Sequence, residues 1–130
     1  MPTAKILVVD DDPDVVEITR IVLQSAGYEV VTASSGAEGL AKVKTEQPDL
    51  MLLDVMMRTV TEGLDACLTL REDAVARYLP VVMLTSIAAT DHSGAVSTED
   101  AACADVWLSK PVNPKYLLET VRRLLEGEQS

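Results

Sequence analysis

Four short apolar runs each end in one reactive polar residue, and this constrains the chain more than any other feature. Ile6 to Val9 runs into Asp10, with Asp11 and Asp12 behind it, and Leu50 to Leu53 runs into Asp54. Val81 to Leu84 runs into Thr85, and Val106 to Ser109 into Lys110. Short, nearly continuous apolar runs read as strands buried on both faces, as in a parallel sheet covered by helices. If the runs are parallel neighbours, their terminal residues share one carboxyl edge, where open α/β sheets bind ligands.

The segments between the runs carry helix signals. Asp12-Pro13 reads as an N-cap followed by proline at the first helical position. The helix after it is expected to turn Val15, Ile18, Val22, Leu23 and Ala26 inward and to stop at Gly27. A second strand is expected over 29–33, a second helix over 35–46 with Leu40 and Val43 inward, and a third helix over 64–72. A fifth strand is expected over 105–108. The last helix should cover 114–126, with Leu117, Leu118, Val121, Leu124 and Leu125 as its stripe. Strand–helix alternation implies βαβ crossovers. The expected architecture is α/β: a flavodoxin-like, doubly wound, five-stranded parallel sheet in the order 2-1-3-4-5, with helices on both faces. The first and third strands would then be neighbours, bringing Asp10, Asp11 and Asp54 together.

Like charges so close repel one another unless a cation sits among them. Mg²⁺ suits the set, since it takes oxygen ligands and is commonly held by one or two carboxylates plus a phosphate. A carboxylate can also act as nucleophile and form an aspartyl phosphate. Lys110 would pair with phosphoryl oxygens and Thr85 would donate a hydrogen bond to another. Taken singly, each residue has a plainer use: Asp-rich loops cap helices, threonine is a β-former and lysine is solvated. Asp12 reads as a cap only.

The 130 residues fit one compact domain. With 11 basic and 21 acidic residues the net charge is −10, which argues against direct nucleic-acid binding and suits a cation site or a partner with a basic patch. Cys67 and Cys103 form neither a metal-ligand spacing nor a secreted disulfide framework, and read as buried or half-buried thiols in a reducing cytosol. The apolar stretch before the aspartates is too short for a signal peptide, and no segment reaches membrane-span length. A cytoplasmic protein is expected.

Val8-Val9-Asp10-Asp11-Asp12, Leu52-Leu53-Asp54-Val55-Met56-Met57, Met83-Leu84-Thr85-Ser86 and Lys110-Pro111, in this order and spacing, resemble the response-regulator receiver domains of bacterial two-component signalling. The resemblance covers essentially the whole chain. It implies that Asp54 is the phosphoacceptor, that Asp10 and Asp11 hold Mg²⁺ with Asp54, and that the Met56 backbone carbonyl is a further ligand. It implies Thr85 as the switch hydroxyl, Lys110 as the phosphate-pairing lysine and Trp107 at the position of the switch aromatic. A static aromatic packing an exposed edge, or one seated in an interface, is the other use for Trp107. The implied partners are a sensor histidine kinase or phosphotransfer protein and a downstream effector. The domain would be a phosphoacceptor, not an enzyme acting on a separate substrate, although it would catalyse its own phosphorylation and dephosphorylation. It would act as a monomer or weak dimer, by docking or phosphorelay. No output domain follows in the sequence, so residues 1–130 are expected to be a single receiver domain.

The chain departs from the family pattern in two places. Arg58 stands where relatives have proline, and the loop closes with Glu62-Gly63. Residues 87–100 are rich in Ala, Ser, Thr and Asp and carry His92, read as a solvated loop residue. The helix between the fourth and fifth strands is therefore expected to be poorly formed or displaced. Met56 and Ile87, both apolar, border the path that hydrolytic water takes in the family, so a long-lived phosphorylated state is expected. Two other classes compete. A haloacid-dehalogenase-like phosphatase needs a second Asp where Met56 stands. A flavodoxin-like cofactor binder needs a Ser/Thr/Gly-rich phosphate loop where this chain has three aspartates. A receiver that only docks is a third alternative, opposed by the full set of Asp10, Asp11, Asp54, Thr85 and Lys110.

Overall fold

The computed structural model describes residues 3–54, 62–74, 76–85, 103–109 and 113–126. Five strands, β1 (Lys5–Val9), β2 (Glu29–Ala33), β3 (Leu50–Asp54), β4 (Val81–Thr85) and β5 (Val106–Ser109), form one parallel sheet in the order β2-β1-β3-β4-β5. The helices described are α1 (Pro13–Ser25), α2 (Gly36–Glu46), α3 (Glu62–Arg71) and α4 (Pro114–Leu125), with a 3-10 turn over Ala76–Tyr78.

Because side chains alternate along a strand, each central strand feeds two cores. Leu7, Val9, Met51, Leu53, Val81 and Met83 face α2 and α3, meeting Val43, Ala66, Cys67 and Leu70. Ile6, Val8, Leu50, Leu52, Val82 and Leu84 face α1 and α4, meeting Leu23, Leu117 and Val121. Both faces of the sheet are thus covered, which is why its central strands read as unbroken apolar runs. Close approach fixes Gly39 on α2: an added Cβ would stand 2.8 Å from Cγ2 of Val9.

Each well-defined helix start has a chemical cause. Asp12 Oδ1 accepts the N–H groups of Asp14 at 2.9 Å and Val15 at 3.4 Å, ahead of Pro13 at the first helical position. Ser35 caps α2 through Glu38 N–H, and Asn113 caps α4 ahead of Pro114. Past the end of α1, Gly27 takes φ +97° and donates to Gln24 O, a conformation that costs a Cβ-bearing residue more.

The inward face of α1 meets the expectation at Val22 and Leu23 and differs from it elsewhere. Ile18 is 62% exposed and Ala26 is exposed, whereas Thr19 is buried beside Leu23 and Val16 packs on the core. Apolar residues occupy more of this helix than the sheet can cover, so packing selects the line 16-19-23 and leaves Ile18 and Ile21 outside. Element ends shift by one or two residues: Ser35 is a cap, α3 starts at Glu62, and β5 runs from Val106 because Asp105 turns its side chain to other use. The expectation for residues 87–100, with His92 and Ile87, lies outside the described residues. No helix among the described residues is long and apolar enough to cross a membrane.

Candidate functional site

The sheet order turns at β1 and β3, and that is where the carboxylates meet. Val9 pairs in register with Leu53, so Asp10 and Asp54 leave the pairing side by side at the carboxyl edge. Asp10 N–H still bonds Ala33 O on β2 at 3.1 Å, and Asp10 Oδ1 accepts Asp12 N–H at 3.0 Å. One carboxylate oxygen from each of Asp10, Asp11 and Asp54 lies within 4.8 Å of the others. Asp10 is 2% exposed and Asp54 5%, while Asp11 opens to solvent.

Two of three like charges are therefore shielded from water, where their repulsion is stronger. The donors are hard, anionic oxygens with one open side. Such a set fits Mg²⁺, which keeps several waters, and does not fit a metal that prefers sulfur or imidazole.

Thr85 ends β4, one residue beyond Leu84, which pairs with Asp54. It is 8% exposed and pairs across the sheet with Ser109, the residue before Lys110. The edge thus gathers Asp10, Asp11, Asp54 and Thr85. Lys110 and Met56 lie outside the described residues. Trp107 sits on β5 opposite Met83 and packs partly buried against the α2–α3 side of the core.

A neighbouring group was not singled out from the sequence. A recess of about 360 Å³ beside the cluster is lined by Asp10, Asp11, Thr32, Ser34, Glu38 and Lys42 among others. Glu38 accepts both the N–H (2.8 Å) and the hydroxyl (2.9 Å) of Ser34, and pairs with Lys42 at 3.3 Å. The Ser34 backbone bond, then its hydroxyl, hold the Glu38 carboxyl below its ordinary value. The Ser35-x-x-Glu38 spacing is the capping-box signal that could have pointed to it. Here the carboxylate reaches one residue further back than in the usual box.

Residues 6–122 match the response regulator receiver domain family. The alkaline phosphatase synthesis transcriptional regulatory protein PhoP of Bacillus subtilis is 37% identical over 125 residues, covering 96% of this chain and 50% of PhoP. The DNA-binding response regulator MtrA of Mycolicibacterium smegmatis is 40% identical over 125 residues, covering 96% of this chain and 52% of MtrA. The chain thus spans about half the length of these relatives. Among solved structures, the chemotaxis protein CheY4 of Vibrio cholerae matches with a TM-score of 0.81 at 36% identity, over 94% of this chain and 98% of that one. The response regulator TrrA of Thermotoga maritima, solved in complex with Mg²⁺-BeF, matches with a TM-score of 0.81 at 30% identity, over 94% and 99%. Fold, motif order and relatives agree: the chain belongs to the response regulator receiver domain family, whose members accept a phosphoryl group on an aspartate in two-component signalling.

Proposed function

We propose that Asp54 is the aspartate that takes the phosphoryl group, with Asp10, Asp11 and the Met56 carbonyl completing the Mg²⁺ ligands of the chain. The observation that carries this reading is the meeting of three carboxylates within 4.8 Å at the sheet's switch point. The donor is a phosphohistidine on a sensor histidine kinase or phosphotransfer protein. An Asp54 oxygen attacks phosphorus, the P–O bond forms and the P–N bond breaks. The electron pair returns to the imidazole, which takes up a proton. When bound, Mg²⁺ offsets the charge on the phosphoryl oxygens. Thr85 donates its hydroxyl to one of those oxygens, and Lys110 pairs with another through its ammonium.

In this reading residues 1–130 act as one receiver unit. The domain catalyses its own phosphorylation and dephosphorylation, works in the cytoplasm as a monomer or weak dimer, and passes its signal to an effector by docking or onward phosphotransfer. A net charge of −10 keeps the unit itself off nucleic acid; DNA binding is named for relatives about twice as long.

Incubation with a small phosphodonor and Mg²⁺, followed by intact mass measurement, tests the assignment. One phosphoryl group should appear in wild type, none without Mg²⁺ and none on Asp54→Asn. A full adduct on Asp54→Asn would place the acceptor elsewhere.

A further inference from the structure

Cys67 on α3 and Cys103 on the segment leading into β5 are distant in sequence and share one core. Both are free thiols, 0% and 6% exposed. Cys67 stands one helical turn before Arg71, on the same face of α3. Arg71 Nε donates to the Cys103 carbonyl at 2.6 Å, while its other nitrogens bond Arg77 O, Leu79 O and Asp105. The guanidinium that holds the Cys103 backbone thus reaches out from the turn of α3 that follows Cys67, and the two cysteines come together in one core. A hydrogen bond with Cys103, and then burial, push the Cys67 thiol up, so Cys67 resists ionisation. Two sulfurs without further ligands make no zinc site. Packing alone would account for two small apolar residues, but it does not require both of them to be cysteine.

We propose that Cys67 and Cys103 form a latent dithiol, oxidised by hydrogen peroxide to a disulfide that fastens α3 to the segment entering β5. Cys103 is the less buried partner. Its sulfur attacks one peroxide oxygen, the O–O bond breaks, and Cys103 sulfenic acid and one water result. The Cys67 sulfur then attacks the sulfenic sulfur; the S–S bond forms, the S–O bond breaks, and hydroxide leaves with the Cys67 proton as a second water. The dithiol loses two electrons and two protons, and one peroxide becomes two waters. Burial favours this small neutral oxidant over a bulky disulfide, and the raised thiol makes the reaction slow. The cross-link closes a long loop and tethers the strand that carries Trp107 and pairs with Thr85.

The folded chain is exposed to hydrogen peroxide, quenched, denatured, alkylated with iodoacetamide and weighed. Both thiols should become unreactive in the monomer and return with dithiothreitol, a Cys67–Cys103 peptide should appear, and the unfolding midpoint should rise by several degrees. Cys67→Ala and, separately, Cys103→Ala should form no internal cross-link. Three outcomes overturn the proposal: Cys103 over-oxidised with Cys67 still alkylated, disulfides only between chains, or both thiols untouched under an exposure that fully oxidises the urea-unfolded chain. The readout is the thiols alone, so it is independent of phosphoryl transfer at Asp54.

Discussion

At the amino edge of the sheet the acidic side chains described at the strand starts stand apart, each on its own donors, whereas the carboxyl edge crowds three carboxylates together. Asp49 accepts Lys5 N–H at 2.8 Å, and Asp105 accepts both Val81 N–H at 2.9 Å and Arg71 at 3.2 Å. Lys5 bonds the Glu46 carbonyl and carboxylate. At the other end Asp10, Asp11 and Asp54 place like charges within 4.8 Å, two of them buried. Carboxylates spread along the amino edge each serve one backbone start or basic partner; carboxylates crowded together repel one another, and such a set suits a cation. The same sheet therefore has a structural end and a chemical end.

Substitutions should separate the two ends. The largest effect belongs to the carboxyl edge: Asp11→Asn should strongly weaken Mg²⁺ binding by calorimetry while the metal-free protein melts no lower than wild type, since one repelling charge is gone. Binding as tight as wild type would move the cation away from this cluster. At the amino edge the reverse is expected. Arg71→Ala strips donors from three carbonyls and from Asp105, and should cost about 2–4 kcal/mol in denaturant unfolding, yet still accept a phosphoryl group. Loss of acceptance in a variant that remains folded would show that the two ends are coupled.

Asp12 belongs to the same run of aspartates but serves the fold. Asp12→Ala should cost about 1 kcal/mol through the lost cap on α1 and leave Mg²⁺ affinity within a small factor; a collapse in affinity would make it a fourth member of the site. The smallest effect concerns Glu38, whose carboxyl is lowered from 4.5 in the folded protein. A depressed folded value contributes stability above the unfolded value that is lost as pH falls through the folded one. Glu38→Gln should therefore melt slightly below wild type at neutral pH, and the gap should close on acidification below 4.5. A gap independent of pH would mean that the bonds to Ser34 do not depend on the charge.

Strands β1 and β2 were both legible, β1 because cover on both faces makes it apolar over Ile6 to Val9, and β2 although it lies half-exposed at the sheet edge and keeps Glu29 and Thr32. The start of α1 was legible because its cap carries its own chemistry at Asp12-Pro13, whereas Ser35, the cap of α2, was counted inside its helix. The face of α1 was legible only in part: Val22 and Leu23 meet the core as expected, but Ile18 and Ala26 do not, and only contact with Leu52 and its neighbours puts Val16 and Thr19 there instead. Glu38 was also missed, since its partner Ser34 lies outside the helix it serves.

The order of apolar runs and the residues that end them determined the architecture and the set of groups along one edge. Hydrophobic burial on both faces dictates a parallel sheet, and strand order then dictates neighbours. Tertiary structure alone decided what depends on direction and distance: that two carboxylates of the edge are buried and the third is open, that Arg71 spans from α3 to the approach to β5, and that Cys67 meets Cys103. Such contacts join residues far apart in the chain through side-chain directions set by packing, and neither periodicity nor spacing along the sequence carries that information.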